Sequence, residues 1–126
     1  MLFKQFLFIF IGGGIGSVLR FGIGQFLSGI QQQTGFPWGT FSVNIIGSFL
    51  IGFFIASSLR SDQDWNLIKS FLIIGFCGGF TTFSSFAYEN FHLLREGHFG
   101  LFALYAISSL IIGLSAVYLG WSIQES

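Results

Sequence analysis

Between Gly78 and Phe86 the chain joins two glycines, four hydroxyl side chains (Thr81, Thr82, Ser84 and Ser85) and three phenylalanines. These residues lie inside a run, 70–88, that contains no Asp, Glu, Lys or Arg. Such a run suits lipid, yet its centre is poor material for a regular spanning helix. Backbone that unwinds at bilayer depth persists only where protein or a water-filled cavity satisfies the freed N–H and C=O groups. A helix broken at that depth is a common way to build an ion site, because one half offers carbonyl oxygens and the other offers N–H groups and a positive dipole end. An interruption near residues 78–81 would therefore serve ions of either sign. Phe83 and Phe86, three residues apart, share a face beyond the break. A benzene ring has a positive edge, so an edge-on ring can meet an anion without trapping it, although packing or lipid contact explains a phenylalanine equally well in a chain with 19 of them.

A second polar set lies upstream. Thr40, Asn44 and Ser48 recur every four residues and form one helical stripe. A buried amide such as that of Asn44 must find partners for both donor and acceptor. Interhelical hydrogen bonding, worth about 0.6 kcal/mol on average in membranes, and pore lining both fit this spacing. Tyr105, Ser108 and Ser109 add hydroxyls near the C-terminus. Arg20 and Glu89 are the ionisable residues closest to membrane depth, which makes them functional candidates, although both are near enough to helix ends to snorkel. His92 and His98 have no cysteine or carboxylate cluster at ligand spacing, and they read as interfacial residues.

The elements that must position these groups follow from composition. The chain has 126 residues, 52% hydrophobic and 8% charged, with a mean hydropathy of +0.78. A soluble domain carries roughly 25% charged residues, so this surface could not be solvated by water. Uncharged runs cover 21–59, 70–88 and 97–124, and a spanning helix needs about 20 apolar residues. The glutamines at 31–33 and Pro37 divide the longest run. Four spans result, over 6–26, 38–59, 67–94 and 99–123, in one all-α integral membrane domain over 1–126. The first apolar run lacks a small-residue cleavage site and reads as a retained helix. Cys77 is the single cysteine, so no intrachain disulfide forms. A net charge of zero without a basic patch gives no sign of nucleic-acid binding. Lys4, Arg60 and Lys69 stand against Arg95 and Arg20, a small orientation bias that leaves insertion in both directions open.

Glycines set the packing. Gly12 and Gly16, Ser48 and Gly52, and Ser109 and Gly113 have the small-xxx-small spacing that lets helices approach closely. No strand precedes Gly12 and no capping lysine follows, so this cluster reads as a packing seam rather than a phosphate loop. Four helices leave little room for a central hydrophilic path. A conducting protein of this size is therefore expected to be a homo-oligomer, with closed twofold symmetry the commonest form. No nucleophile–base pair can be assembled, so an enzyme is not expected.

Along its whole length the chain resembles the Fluc fluoride channels, the CrcB-like proteins. Three blocks carry the likeness: Gly13-Gly14-Ile15-Gly16 with Arg20-Phe21, then Gly39-Thr40-Phe41-Ser42-Val43-Asn44 with Gly47-Ser48, then residues 78–86 with Glu89. The resemblance implies a dual-topology, antiparallel homodimer in the bacterial inner membrane, with the third helix broken at mid-membrane. It implies two fluoride pathways that passively lower cytoplasmic fluoride and its toxicity. By the same resemblance Phe83 and Phe86 are pore phenylalanines and Asn44 is a pore amide. Ser84, Ser85, Thr40, Tyr105 and Ser109 then form a polar track, Arg20 and Glu89 lie near vestibules, and the backbone carbonyls of Gly78 and Thr81 hold a central structural sodium ion. Ser85 stands where the family often has Thr, Gly113 where a further Ser can occur, and Ser17 where Ala is usual. The competing reading is a small four-helix multidrug exporter, a class that needs a carboxylate deep in helix 1, where this chain has none.

Overall fold

The computed structural model describes residues 1–125 and contains only helices and their connections. Four helices are long and apolar enough to cross a membrane: Leu2–Phe26, Trp38–Arg60, Asn66–Arg95 and Phe99–Glu125. All four agree with the expected spans to within a few residues. Leu2–Phe26 is α1, Trp38–Arg60 is α3 and Phe99–Glu125 is α7. The third span is composite. It runs through α4 (Asn66–Lys69), a π-helical segment (Ser70–Cys77), α5 (Gly78–Phe80) and α6 (Phe83–Arg95). Neither the π-helical segment nor α2 (Ser28–Thr34) is expected from the hydropathy pattern, because both lie inside stretches whose composition speaks only of apolarity or of a loop.

Connections end the helices by recognisable chemistry. Gly35, at φ 78°, closes α2 in the left-handed conformation, which glycine adopts without steric cost. Phe36 then folds inward, 6% exposed, with its ring centroid 5.3 Å from Tyr105 and 4.5 Å from Trp38. At the other end of the molecule, Asp64 Oδ1 accepts from the N–H of Asn66 at 3.0 Å and starts the third span. Gly97, at φ 79°, ends α6. His98 N–H donates to Leu93 O at 2.8 Å and Gly97 N–H to Leu94 O at 3.1 Å, the paired bonds of a Schellman stop.

Two glycine seams tie the helices into pairs. A Cβ on Gly12 or Gly16 of α1 would collide with the carbonyl oxygens of Phe71 and Phe76, and a Cβ on Gly79 would collide with that of Gly13. α1 and the first half of the third span thus approach backbone to backbone. α3 and α7 form the other pair, where Gly52 faces Val117 O and Gly120 faces Phe49 O. The Ser109–Gly113 spacing expected to make this seam does not make it. Gly113 has only the Ser48 hydroxyl nearby, 3.9 Å from where a Cβ would stand, and the close approach falls on buried Ala116 and Gly120. Outward faces carry large apolar residues such as Phe10, Phe21, Phe26, Leu110 and Leu114, as a lipid-facing surface requires.

Candidate functional site

The third span breaks at Thr81 and Thr82. Thr81 has φ −90°, ψ 160° and Thr82 has φ −152°, ψ 121°, both extended. Gly78 and Gly79, which the sequence suggests as the point of unwinding, are helical. Gly79 lacks a Cβ because α1 lies against it, and its flexibility is not used.

Two side chains hold the break open. Asn44, on α3, donates from Nδ2 to Thr82 O at 3.1 Å and accepts from Thr82 N–H at Oδ1, 2.8 Å. The half-buried amide so finds a donor and an acceptor on one residue. In an unbroken helix the Thr82 N–H would go to the carbonyl of Gly78, four residues back. Thr82 Oγ1 is the N-cap of α6 and accepts from Ser85 N–H at 3.1 Å, a bond that a continuous helix would give to Thr81 O. The two carbonyls that these side chains release are therefore those of Gly78 and Thr81. On the far side of the break, the first N–H groups of α6 carry its positive dipole end.

Arg20 reaches the same region from α1. Its Nε donates to Gly79 O at 2.9 Å, so it caps α5 and does not snorkel to a helix end. Thr81 Oγ1 donates back to Cys77 O at 2.8 Å, which leaves the Thr81 carbonyl, not its hydroxyl, available to a ligand.

A groove of about 840 Å³ runs past the break, and its lining includes Asn44, Gly78, Thr81, Phe83, Phe86 and Ser109. The Phe83 and Phe86 ring centroids are 6.0 Å apart with their planes at 41°. Phe86 also packs on Tyr105 at 5.0 Å. Phe83 is 79% exposed on the single chain, too much for a core residue. Ser109 Oγ is buried without a hydrogen-bond partner, an unusual state for a hydroxyl.

Glu89, just over one turn beyond Ser84 and Ser85, is pinned between helices. Thr40 Oγ1 donates to its Oε2 and the Tyr105 hydroxyl to its Oε1, each at 2.7 Å. Each hydroxyl has one proton, so Thr40 and Tyr105 direct theirs at the carboxylate. Glu89 does not pair with Arg20. Ser84 Oγ lies 3.2 Å from Thr82 Oγ1. Ser84, Ser85 and Glu89 line a second cavity, of about 500 Å³, on the α2 side of α6. Of the polar residues singled out in the sequence, Asn44 and Ser109 line the first cavity and Ser84, Ser85 and Glu89 the second, whereas Arg20, Thr40 and Tyr105 line neither.

Sequence reasoning assigned no role to Thr82, although a Thr three residues before Ser85 at a helix start is a cap signature. Nor did it single out Asn90, 8% exposed, whose Nδ2 donates to Phe86 O at 2.9 Å. Its Oδ1 is buried without a partner, and no spacing rule marks it.

Known proteins are similar to this sequence over most of its length. A family profile described as CrcB-like protein, Camphor Resistance (CrcB), matches residues 7–121. A protein of Bacteroides fragilis called fluoride-specific ion channel FluC is 47% identical over 126 residues, covering 97% of each chain. A Thermus thermophilus protein of the same name is 43% identical over 118 residues, covering 94% of this chain and 91% of its own. One from Gloeothece citriformis, again so named, is 47% identical over 117 residues, covering 92% and 93%.

Proposed function

The chain belongs to the CrcB-like family, and we propose that it is a passive, fluoride-selective ion channel that lets cytoplasmic fluoride out of a bacterial cell across its inner membrane. The observation that carries this reading is the break itself. Asn44 and Thr82 hold two residues of a spanning helix extended, and the groove beside them brings together an amide, freed backbone groups and two phenylalanine rings.

Fluoride holds its water tightly. A narrow path must replace that water with N–H, hydroxyl and ring-edge donors, strong enough for entry and weak enough for exit. In this reading Phe83 and Phe86 present their ring edges to the ion, Asn44 lines its path, and Ser84, Ser85, Thr40, Tyr105 and Ser109 continue the polar track. Arg20 and Glu89 stand towards its ends. Chloride is larger and is turned away by the constriction.

The pore is completed by a second copy inserted the other way up. Support comes from the open groove, from Phe83 standing 79% exposed, and from the weak charge bias of the connections. Hard cations take oxygen ligands, and the released carbonyls of Gly78 and Thr81 lie on the open face of the break, so their chemistry fits a sodium ion shared between copies. Bound there, sodium would supply a fixed positive charge between the two pathways. Asn44 and Thr82 prepare those oxygens by diverting the N–H groups that would otherwise occupy them.

Efflux from liposomes that contain the purified protein tests the function. Fluoride is expected to leave rapidly and chloride not at all; equal rates would end the selectivity argument. Replacing all sodium by a large organic cation is expected to impair conduction or assembly, and indifference to that exchange would remove the ion from the break.

A further inference from the structure

On α3, Thr40, Asn44 and Ser48 stand one turn apart, and on α7 Tyr105 and Ser109 do the same. The two helices run in the same direction, because a Cβ on Gly113 would stand nearest Ser48 and one on Gly52 nearest Val117. The first polar groups of both rows are committed. Thr40 and Tyr105 donate to Glu89, and Asn44 exchanges two bonds with Thr82. Ser48 and Ser109 both line the groove of about 840 Å³, and among the described residues neither hydroxyl has a hydrogen-bond partner. Several serines in these helices return their proton to the carbonyl four residues back, as Ser57, Ser108, Ser115 and Ser122 do. That is the ordinary way to satisfy a hydroxyl inside a helix. The other hydroxyls of the groove are occupied as well, Thr81 with Cys77 O and Thr82 with Ser84.

We propose that Ser48 and Ser109 form a two-hydroxyl fluoride station in the groove, with Ser48 the donor on the α3 side. The proposal rests on the channel reading and adds a residue to its path. A buried hydroxyl left unpaired is unfavourable, and one anion that accepts from both satisfies them together. Gly113 gives the station its room. The missing side chain leaves the space beside Ser48 Oγ open, and an added Cβ would stand 3.9 Å away. An asparagine amide has two N–H donors, of which Asn44 gives one to Thr82 O. The second is free for the ion, and the level of Ser48 is about 6 Å further along the helix. Neutral donors in short steps hold an anion without trapping it, as conduction requires. Beyond the station, Gly52 and Gly120 meet the carbonyls of Val117 and Phe49, so backbone contact fixes the separation of the two helices that carry the hydroxyls.

The test is fluoride efflux from liposomes that contain the full chain, with protein-free vesicles as the leak control. Ser48→Ala, which removes the hydroxyl and little else, is expected to slow efflux about five-fold. Adding Gly113→Ser to that variant places a hydroxyl in the space beside position 48 and should restore most of the rate. Gly113→Ala in the same background fills the space without a donor and should restore nothing. Ser115→Ala, whose hydroxyl already donates to Ile111 O at 2.8 Å, should conduct like the natural protein. Ser48→Cys keeps the shape but offers only a weak S–H donor, so it should slow efflux even if the alanine variant fails to fold. Natural rates in Ser48→Ala or Ser48→Cys would overturn the proposal. So would rescue by Gly113→Ala as complete as by Gly113→Ser, since Ser48 would then serve packing alone. No fluoride flux from the natural protein would remove the channel reading, and this inference with it.

Discussion

The two halves of the third span have opposite designs. Before the break, residues 66–80 contain one hydroxyl, Ser70, and it donates back to Asn66 O at 2.9 Å in its own helix. Gly75 and Gly79 lock that half against the α1 backbone. After the break, α6 carries Ser84, Ser85, Glu89, Asn90 and His92 within three turns, and its groups reach α3 and α7 through side chains. Small residues and backbone contact make the first half an anchor. Polar side chains on a separately capped helix make the second half the chemical surface. The contrast shows why the break is valuable: an anchored rod ends where a helix with its own N-terminus begins.

That contrast can be broken most severely at the anchor. Gly16→Val would drive a side chain into the backbone of Phe76 and Phe80, an overpacking expected to cost about 3 kcal/mol or more. Gly22→Ala, with open space around it, should be neutral, and unfolding in detergent would compare the two. If Gly16→Val is tolerated, the seam is not what holds the first half. Next in size is Asn44→Ala, which removes both bonds to Thr82 and leaves its backbone groups unpaired, for about 2 kcal/mol. Fluoride flux should be lost with it; unchanged flux would mean that the break holds itself open.

On the chemical half the expected effects are smaller and show in transport. Phe83→Ile or Phe86→Ile should slow fluoride efflux about five- to ten-fold, the worth of one aromatic edge contact, while the protein stays folded. Normal flux in both variants would remove the ring-edge argument. Smallest is Thr82→Val, which deletes the α6 cap for about 1 kcal/mol. Thr82→Ser should restore it, and thermal unfolding of the pair would show whether the hydroxyl or the extended backbone matters.

Much of the architecture was readable in advance, and the reasons are local. Charge-free runs of spanning length leave the backbone no economical choice in lipid except a helix, so the four spans agree closely with hydropathy. Asn44 and Glu89 were readable as polar positions that need partners, whereas Thr82 and Asn90 were not singled out. The partners that Asn44 and Glu89 take were not readable. Arg20 and Glu89 read as ionisable residues near helix ends, free to snorkel, yet one holds the Gly79 carbonyl and the other two hydroxyls. Gly78-Gly79 illustrates the limit best. A missing Cβ permits both unwinding and close approach, and only the position of α1 selects between them.

Sequence alone determined that this chain has four helices of spanning length with a polar interruption in the third, because hydropathy, helix length and the need to satisfy polar groups act within a segment. Tertiary structure decided where the fault falls and which atoms it frees. Asn44 lies 38 positions from Thr82, and no local rule could reveal that its amide would take the bonds whose loss exposes the Gly78 carbonyl. Hydrogen bonds that replace helical ones come from whichever helix packs alongside, and packing is a property of the folded chain.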